Sequence, residues 1–191
     1  MMVAAEKRHT PELRFGGFSE EWAQKTGAEI TDKITKGSSP TWQGFEYTKQ
    51  GVLFVTSENV RDGFLDVSKP KYLPVEFYDK QKNSSLRFGD ILINIVGASI
   101  GRCCLYSRNE RAFTNQAVAL FRVKESNSID FVAYCYQQSR IQKIISGTQS
   151  ESARPNLSLT DLRELQFNIP SPSEQQKIAA FLGAVDNKLT A

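Results

Sequence analysis

Residues 157–189, LSLTDLRELQFNIPSPSEQQKIAAFLGAVDNKL, constrain the chain more tightly than any other stretch. Two prolines punctuate it: a strand-like LQFNI ends at Pro170, and a helix opens at Pro172. Ahead of the strand, Ser158 and Asp161 stand in a capping-box arrangement that predicts a short helix. Ser171 suits the N-cap of the second helix, Pro172 its first position and Glu174 its third, where a carboxylate favours the dipole. Along that helix Ile178, Leu182, Val185 and Leu189 recur at spacings of four, three and four, an a/d seam that calls for a facing surface. At about 19 residues the helix would be about 28 Å long, yet two heptads are too few for an independent coiled coil. Periodicity alone leaves two partners open, the domain's own core or a second helix.

A chain of 191 residues suffices for one domain with a real core plus an appendage, or at most two small domains. No apolar run reaches bilayer length and MMVAAEKRHT lacks a signal core, so a cytoplasmic protein is expected. Cys103, Cys104 and Cys135 are odd in number and two are adjacent, which argues against a disulfide framework or a zinc motif. His9 is the single histidine, so metal or histidine-based catalysis finds little support.

Charge is unevenly distributed. From Lys80 to Lys124 there are eight basic residues and only Asp90 and Glu110 against them, a local excess of six in a chain of net charge +3. Such a segment suits a polyanion-binding face, because each neutralised phosphate releases counterions; a solvated positive face is the other reading.

Taken in order, residues 1–12 read as a polar, mobile tail. Trp22 opens a first core strand, and the Thr26/Glu29 pair caps a short helix over residues 27–34. Residues 36–42, KGSSPTW, form a loop able to bind phosphate and stack on a base, or simply to be solvated. Residues 51–56 read as a buried strand followed by a polar corner. In that corner Asn59 and Arg61 are types that read adenine and guanine edges, or form turns. Residues 74–82 read as a helix with Val75, Phe77 and Tyr78 inward. Residues 91–96 and 102–106 form a hairpin around a glycine turn, with Asn94 as an amide needing a partner or a ligand. Residues 113–123 predict one further strand. A helix capped by Ser128 runs to Ser146, with Ile129, Val132, Tyr136, Ile144 and Ile145 as its apolar stripe and Gly147 as its stop. Residues 148–156 form a polar linker containing Arg154.

Several of these residues together carry a resemblance. Gly89-Asp90-Ile91-Leu92, the turn at residues 97–101, Asn115-Gln116, the segment LS…LQFNIPSP and Glu174-Gln175-Gln176-Lys177-Ile178-Ala179 resemble the specificity subunit of type I DNA restriction-modification systems. The segment from Leu13-Arg14-Phe15 to Trp22 is similar to the entry of that family's target recognition domain, so the likeness spans about residues 11 to 189. The resemblance implies a non-catalytic reader of double-stranded DNA. Partner subunits would supply the chemistry: methyltransferase subunits holding S-adenosylmethionine, and ATP-dependent restriction/translocase subunits. It implies recognition of one half of a bipartite target, with helices setting the spacing between halves. One recognition domain and the start of one helix resemble half such a subunit, either truncated or naturally half-length and pairing with itself as a homodimer.

The residues agree with a non-enzyme that carries no cofactor of its own. The chain has neither a cofactor-binding glycine motif nor an Asn/Asp-Pro-Pro-aromatic clamp, and Asp62 and Asp66 read as parts of a solvated turn. The expected architecture is α+β: a curled, mainly antiparallel β core with short helices over residues 13–170, then a dimerisation or spacer helix over residues 171–191. Residue type and loop position nominate Lys36, Ser38, Ser39, Arg102 and Arg154 as phosphate-facing. Thr41, Asn59, Arg61, Asn94, Ser99, Asn115 and Gln116 are nominated for base edges or their support. The resemblance assigns the seam Ile178, Leu182, Val185 and Leu189 to a subunit interface, while Ile178 and Phe181 stay near the domain.

Overall fold

The computed structural model of the chain describes residues 10–147 and 156–190. In chain order the elements are β1 (Ala23–Thr26), α1 (Gly27–Ile30), β2 (Thr31–Lys36), β3 (Val52–Val55), β4 (Lys71–Leu73), α2 (Phe77–Lys80), β5 (Ile91–Asn94) and β6 (Cys103–Leu105). They continue with β7 (Ala112–Thr114), β8 (Val118–Val123), α3 (Ile129–Gln137), α4 (Ser139–Gly147), α5 (Leu159–Glu164), β9 (Gln166–Ile169) and α6 (Pro172–Thr190). Short 3-10 turns occupy Thr41–Gln43 and Lys82–Ser84.

The hydrophobic runs in the middle of the chain are continuous because their strands are covered on both faces. Strands β2-β8-β5-β6 form a four-stranded antiparallel sheet, and β4-β3-β7 form a second sheet in which β3 and β7 run parallel. Side chains alternate along a strand, so Ile91, Ile93, Phe121 and Val123 point into one core with Phe131, Val132, Tyr136, Leu162 and Phe167 from the helical side. Leu92, Leu120 and Cys104 point the other way and meet Leu53 and Val55 of the second sheet. Phe54 on that sheet's far face packs with Leu73, Phe77 and Phe113. The result is a layered α+β domain, as expected.

Strand β9 pairs with β1, Ala23 opposite Ile169 and Thr26 opposite Gln166, which ties the two ends of the domain together. Both predicted capping boxes form, Thr26 with Glu29 and Ser158 with Asp161. The first, however, starts a helix of only four residues. Thr31 turns extended and the β-branched Thr31, Ile34 and Thr35 enter β2, so the predicted helix over residues 27–34 is a helical turn followed by a strand. Gly27 is forced by packing: a Cβ there would sit 2.2 Å from the Leu162 carbonyl oxygen.

Three other boundaries differ from the sequence reading. Residues 113–123 make two strands in two sheets, because the Asn115 side chain accepts the Ala117 amide (3.1 Å) and folds a turn between them. The helix from Ser128 breaks at Gln138 (φ −61°, ψ 137°), which turns Ile141 and Ile145 inward and leaves Ile144 exposed. Helix α2 is a single turn that buries Phe77 but leaves Val75 exposed.

The first half of α6 belongs to the core. Glu174, fully buried, does not serve the helix dipole alone: its carboxylate accepts Nε (2.6 Å) and Nη2 (2.7 Å) of Arg14. Beside it, the Gln175 side chain accepts the Ser128 amide (2.8 Å) and donates to the Pro170 carbonyl (3.0 Å). Ile178 packs against the helical core, and Phe181 meets Phe15 edge-on at 5.5 Å. Beyond them Val185 and Leu189 are exposed, the latter 80%. Of the predicted tail, residues 1–9 lie outside the described residues, while the Thr10 hydroxyl accepts the Trp22 amide (3.0 Å).

Candidate nucleic-acid interface

Strand direction brings the nominated residues to one rim. Strands β2 and β5 run towards it and β8 and β6 away, so Lys36 lies opposite Ala119, Asn94 opposite Val118, and Ile93 opposite Cys103. Strands β3 and β7 end there side by side, Val55 opposite Thr114. The rim therefore consists of the connections after β2, after β3, between β5 and β6, and between β7 and β8. These hold Lys36, Ser38, Ser39 and Thr41; Asn59 and Arg61; Asn94, Ser99 and Arg102; and Asn115 and Gln116. Arg154 lies outside the described residues; nearby Asn156 bridges Val96 on the same rim.

The loops are stitched together by backbone and amide hydrogen bonds. Asn94 Nδ2 donates to the Ser57 carbonyl (2.9 Å) and the Ser99 hydroxyl (3.1 Å), linking the corner after β3 to the hairpin turn. The Asn115 amide donates to the Val55 carbonyl (3.1 Å), and the Ile95 amide to the Ala117 carbonyl (2.9 Å). Gly37 passes so close to Thr114 that a Cβ would fall 1.6 Å from its carbonyl oxygen, so the loop after β2 starts flush against the β7 end.

Within the rim the nominated residues divide into those that build it and those that face out. Asn59, nominated for a base edge or its support, is buried; its Oδ1 accepts the Thr56 amide (2.8 Å) and its Nδ2 donates to the Asp66 carbonyl (2.9 Å). Asn94 is fully buried and Asn115 closes its own turn, so these three asparagines are support. Lys36, Thr41 and Gln116 are exposed, and Ser38, Ser39, Ser99, Arg61 and Arg102 are half-buried. Ser38 accepts from Gln43 Nε2 (2.6 Å), which braces the 3-10 turn presenting Trp42, 93% exposed.

Several cations at the rim lie beside acids. Arg61 lies 3.5 Å from Asp66, Arg102 3.6 Å from Asp62, and Lys71 2.8 Å from Glu58. The Glu58 carboxyl is held below its ordinary value, first by the Lys71 hydrogen bond. The Asp66 carboxyl is also lowered, chiefly by the Ser68 hydroxyl and amide. Half of the eight basic residues from Lys80 to Lys124 lie together elsewhere: Lys82, Arg87, Arg111 and Arg122 gather with Lys33 near the opposite strand ends. Sequence reasoning nominated none of these five. The charge excess over residues 80–124 was the available signal, but it could not show that Lys33 joins them. Among the described residues, no group of three or more His, Cys, Asp or Glu could hold a metal ion, and no helix is long and apolar enough to cross a membrane.

The family model described as the type I restriction modification DNA specificity domain matches residues 20–191. The chain belongs to this family. Among relatives, the type I restriction enzyme EcoBI specificity subunit of Escherichia coli is 28% identical over 164 residues, covering 83% of this chain and 34% of that protein. The MjaVIII specificity subunit of Methanocaldococcus jannaschii is 25% identical over 188 residues, covering 95% of this chain and 43% of that one. This specificity domain thus spans less than half the length of those relatives. In fold it matches the S subunit of the type I restriction-modification system from M. genitalium (TM-score 0.64, 18% identity) over 95% of this chain and 43% of that one. It also matches the HsdS subunit from Thermoanaerobacter tengcongensis (TM-score 0.60, 18% identity) over 95% and 40%. The specificity-domain motifs have physical roles here. Gly89 (φ +86°) turns the chain into β5, Asp90 anchors Arg122, and Glu174 and Gln175 clamp Arg14 and the start of α3.

Proposed function

We propose that this specificity domain reads one half of a bipartite double-stranded DNA target within a type I restriction-modification complex. In that assembly it directs adenine methylation and restriction by partner subunits. The observation that carries the reading is the gathering of four connections on one rim, where buried asparagines brace exposed polar side chains. Such an arrangement suits base reading because a rigid scaffold holds adaptable donors and acceptors at groove edges. Lys36, Arg102 and Arg154 serve phosphates in this reading; Thr41, Arg61 and Gln116 meet base edges. Residues 13–170 form the recognition unit, and residues 171–191 a dimerisation or spacer helix. S-adenosylmethionine belongs to the methyltransferase subunits and ATP to the restriction/translocase subunits. Assembled with its methyltransferase subunit, the chain is expected to select one short sequence from a random duplex pool, with binding that weakens steeply as salt rises. Binding indifferent to sequence overturns the reading.

The exposed Val185 and Leu189 favour a complementary role in assembly. With Leu182 they continue the Ile178 seam, and we propose that they meet a second helix, in a homodimer or in the methyltransferase subunit. Were this the chain's whole role, as a regulatory subunit, it would co-purify with the methyltransferase yet leave target choice unchanged.

A further inference from the structure

A cluster of basic side chains lies at the end of the strands away from the rim. There Ser85 bridges Phe113, the Leu86 amide donates to the Ala112 carbonyl (2.8 Å), and Lys33 pairs with Arg122 three residues along β2 from Lys36. A concavity of about 350 Å³ opens at this place, lined by Lys33, Lys82, Arg87, Arg111 and Arg122, with Glu110 as the one carboxylate among the described residues of its wall.

The acids nearby are already engaged, and Asp79 lies 4.0 Å from Lys82 in an exposed pair. Glu110 receives Arg108 in a two-point ion pair. Asp90, buried behind the wall, accepts Nε and Nη2 of Arg122 (both 2.7 Å) and the Arg87 backbone amide (2.7 Å). Arg87 and Arg111 remain exposed, and the Arg111 guanidinium lies over the Tyr78 ring at 4.7 Å from its centroid, within cation–π range. Lys33 donates to the Asn83 carbonyl (3.0 Å), and its ammonium is pushed below its ordinary pKa by burial and then by Arg122 and Arg87. Burial is the larger cause of that shift; the repulsion from Arg122 and Arg87, partly offset by Asp90, comes from the same cluster of cations that would attract an anion.

We infer that this concavity is a second nucleic-acid contact, a phosphodiester-binding site separate from the base-reading rim, with Arg87 and Arg111 as its principal ligands and Lys33 and Lys82 as its field. The inference rests on the reading of the chain as a DNA-recognition domain and divides the labour within it. The rim, where Arg61 and Arg102 lie beside Asp66 and Asp62, discriminates; the concavity adds a grip on the backbone whatever the sequence.

The test uses the full chain assembled with its methyltransferase subunit and the double variant R87A/R111A, which removes two exposed side chains and spares the Arg122–Asp90 pair. For both target and scrambled duplexes, log K against log salt should become shallower by about two units, at about 0.9 for each phosphate that is no longer neutralised, while the ratio of the two affinities stays constant. Unchanged affinity and slope overturn the inference. So does a loss confined to the target duplex, which would place these arginines in base reading. Pyrophosphate titration followed by the Nε–Hε signals of Arg87 and Arg111 separates the sources. Shifts with pyrophosphate alongside unchanged duplex affinity overturn the nucleic-acid contact in favour of a free-phosphate site. If the wild-type complex prefers no sequence but R87A/R111A still flattens the salt slope, the concavity stands and the target-reading function falls.

Discussion

Asn59 and Gln116 illustrate how residues of similar type take opposite duties. Asn59 spends its amide inside the corner, so Asn59→Ala leaves the Thr56 and Asp66 groups unpaired and is expected to cost about 1–3 kcal/mol of stability. Gln116 is exposed, so Gln116→Ala should leave the melting temperature unchanged; if it meets a base edge, target discrimination falls by about 1–3 kcal/mol. Denaturant titration and competition binding on the same two variants check both. Asp90 combines burial with charge: removing it strands Arg122, which is 17% exposed, and frees the Arg87 amide. Asp90→Ala is therefore expected to destabilise by about 3–5 kcal/mol in chemical denaturation, where an exposed pair would barely register. Burial also pushes the Cys103, Cys104 and Cys135 thiols up to about 12, from 9.0. Because the native fold keeps these protons, the stability they contribute is full below pH 9 and is lost as pH rises from 9 towards 12. Denaturation midpoints at about pH 7.5, 9 and 10.5 should fall slightly across the first interval and mainly across the last, and a thiol reagent at about pH 8 should label the cysteines only after unfolding.

At the scale of elements, capping chemistry was legible because it is local. Ser158 and Asp161, like Thr26 and Glu29, exchange hydrogen bonds across three residues, and no distant contact is needed to recognise them. Where elements stop was less legible. The run at residues 113–123 has one composition but serves two sheets, and the turn at Asn115 is decided by the partners waiting for each half. The break at Gln138 likewise rotates Ile141 and Ile145 onto the core, with Gln142 Nε2 donating to the Tyr136 carbonyl (2.7 Å) across the kink. Helix α6 is divided along its length: Glu174, Gln175 and Ala179 are buried, whereas Val185 and Leu189 are exposed. Charged substitutions at Val185 and Leu189 are expected to leave thermal stability within about 0.5 kcal/mol and to weaken subunit association in sedimentation. Loss of stability with association intact would place the distal helix on its own domain instead.

Across the whole molecule, the four loops of the rim come from segments spread over residues 36–116, and the antiparallel order of β2, β8, β5 and β6 together with the parallel pairing of β3 and β7 brings them to the same end. The nominated residues were found by type and loop position, and the topology then brought those among the described residues together. Their division into support and display depended on burial, which residue type does not encode.

The caps, the buried central strands, the proline-bounded strand before α6 and the residues that carry the family resemblance are legible in the sequence, since each is written in composition and spacings of a few residues. Tertiary packing alone sets Glu174 against Arg14 across 160 positions and brings Lys33 to Arg87, Arg111 and Arg122. Charge and hydrogen bonding act through space, and the distances that govern them exist only once the sheets have closed.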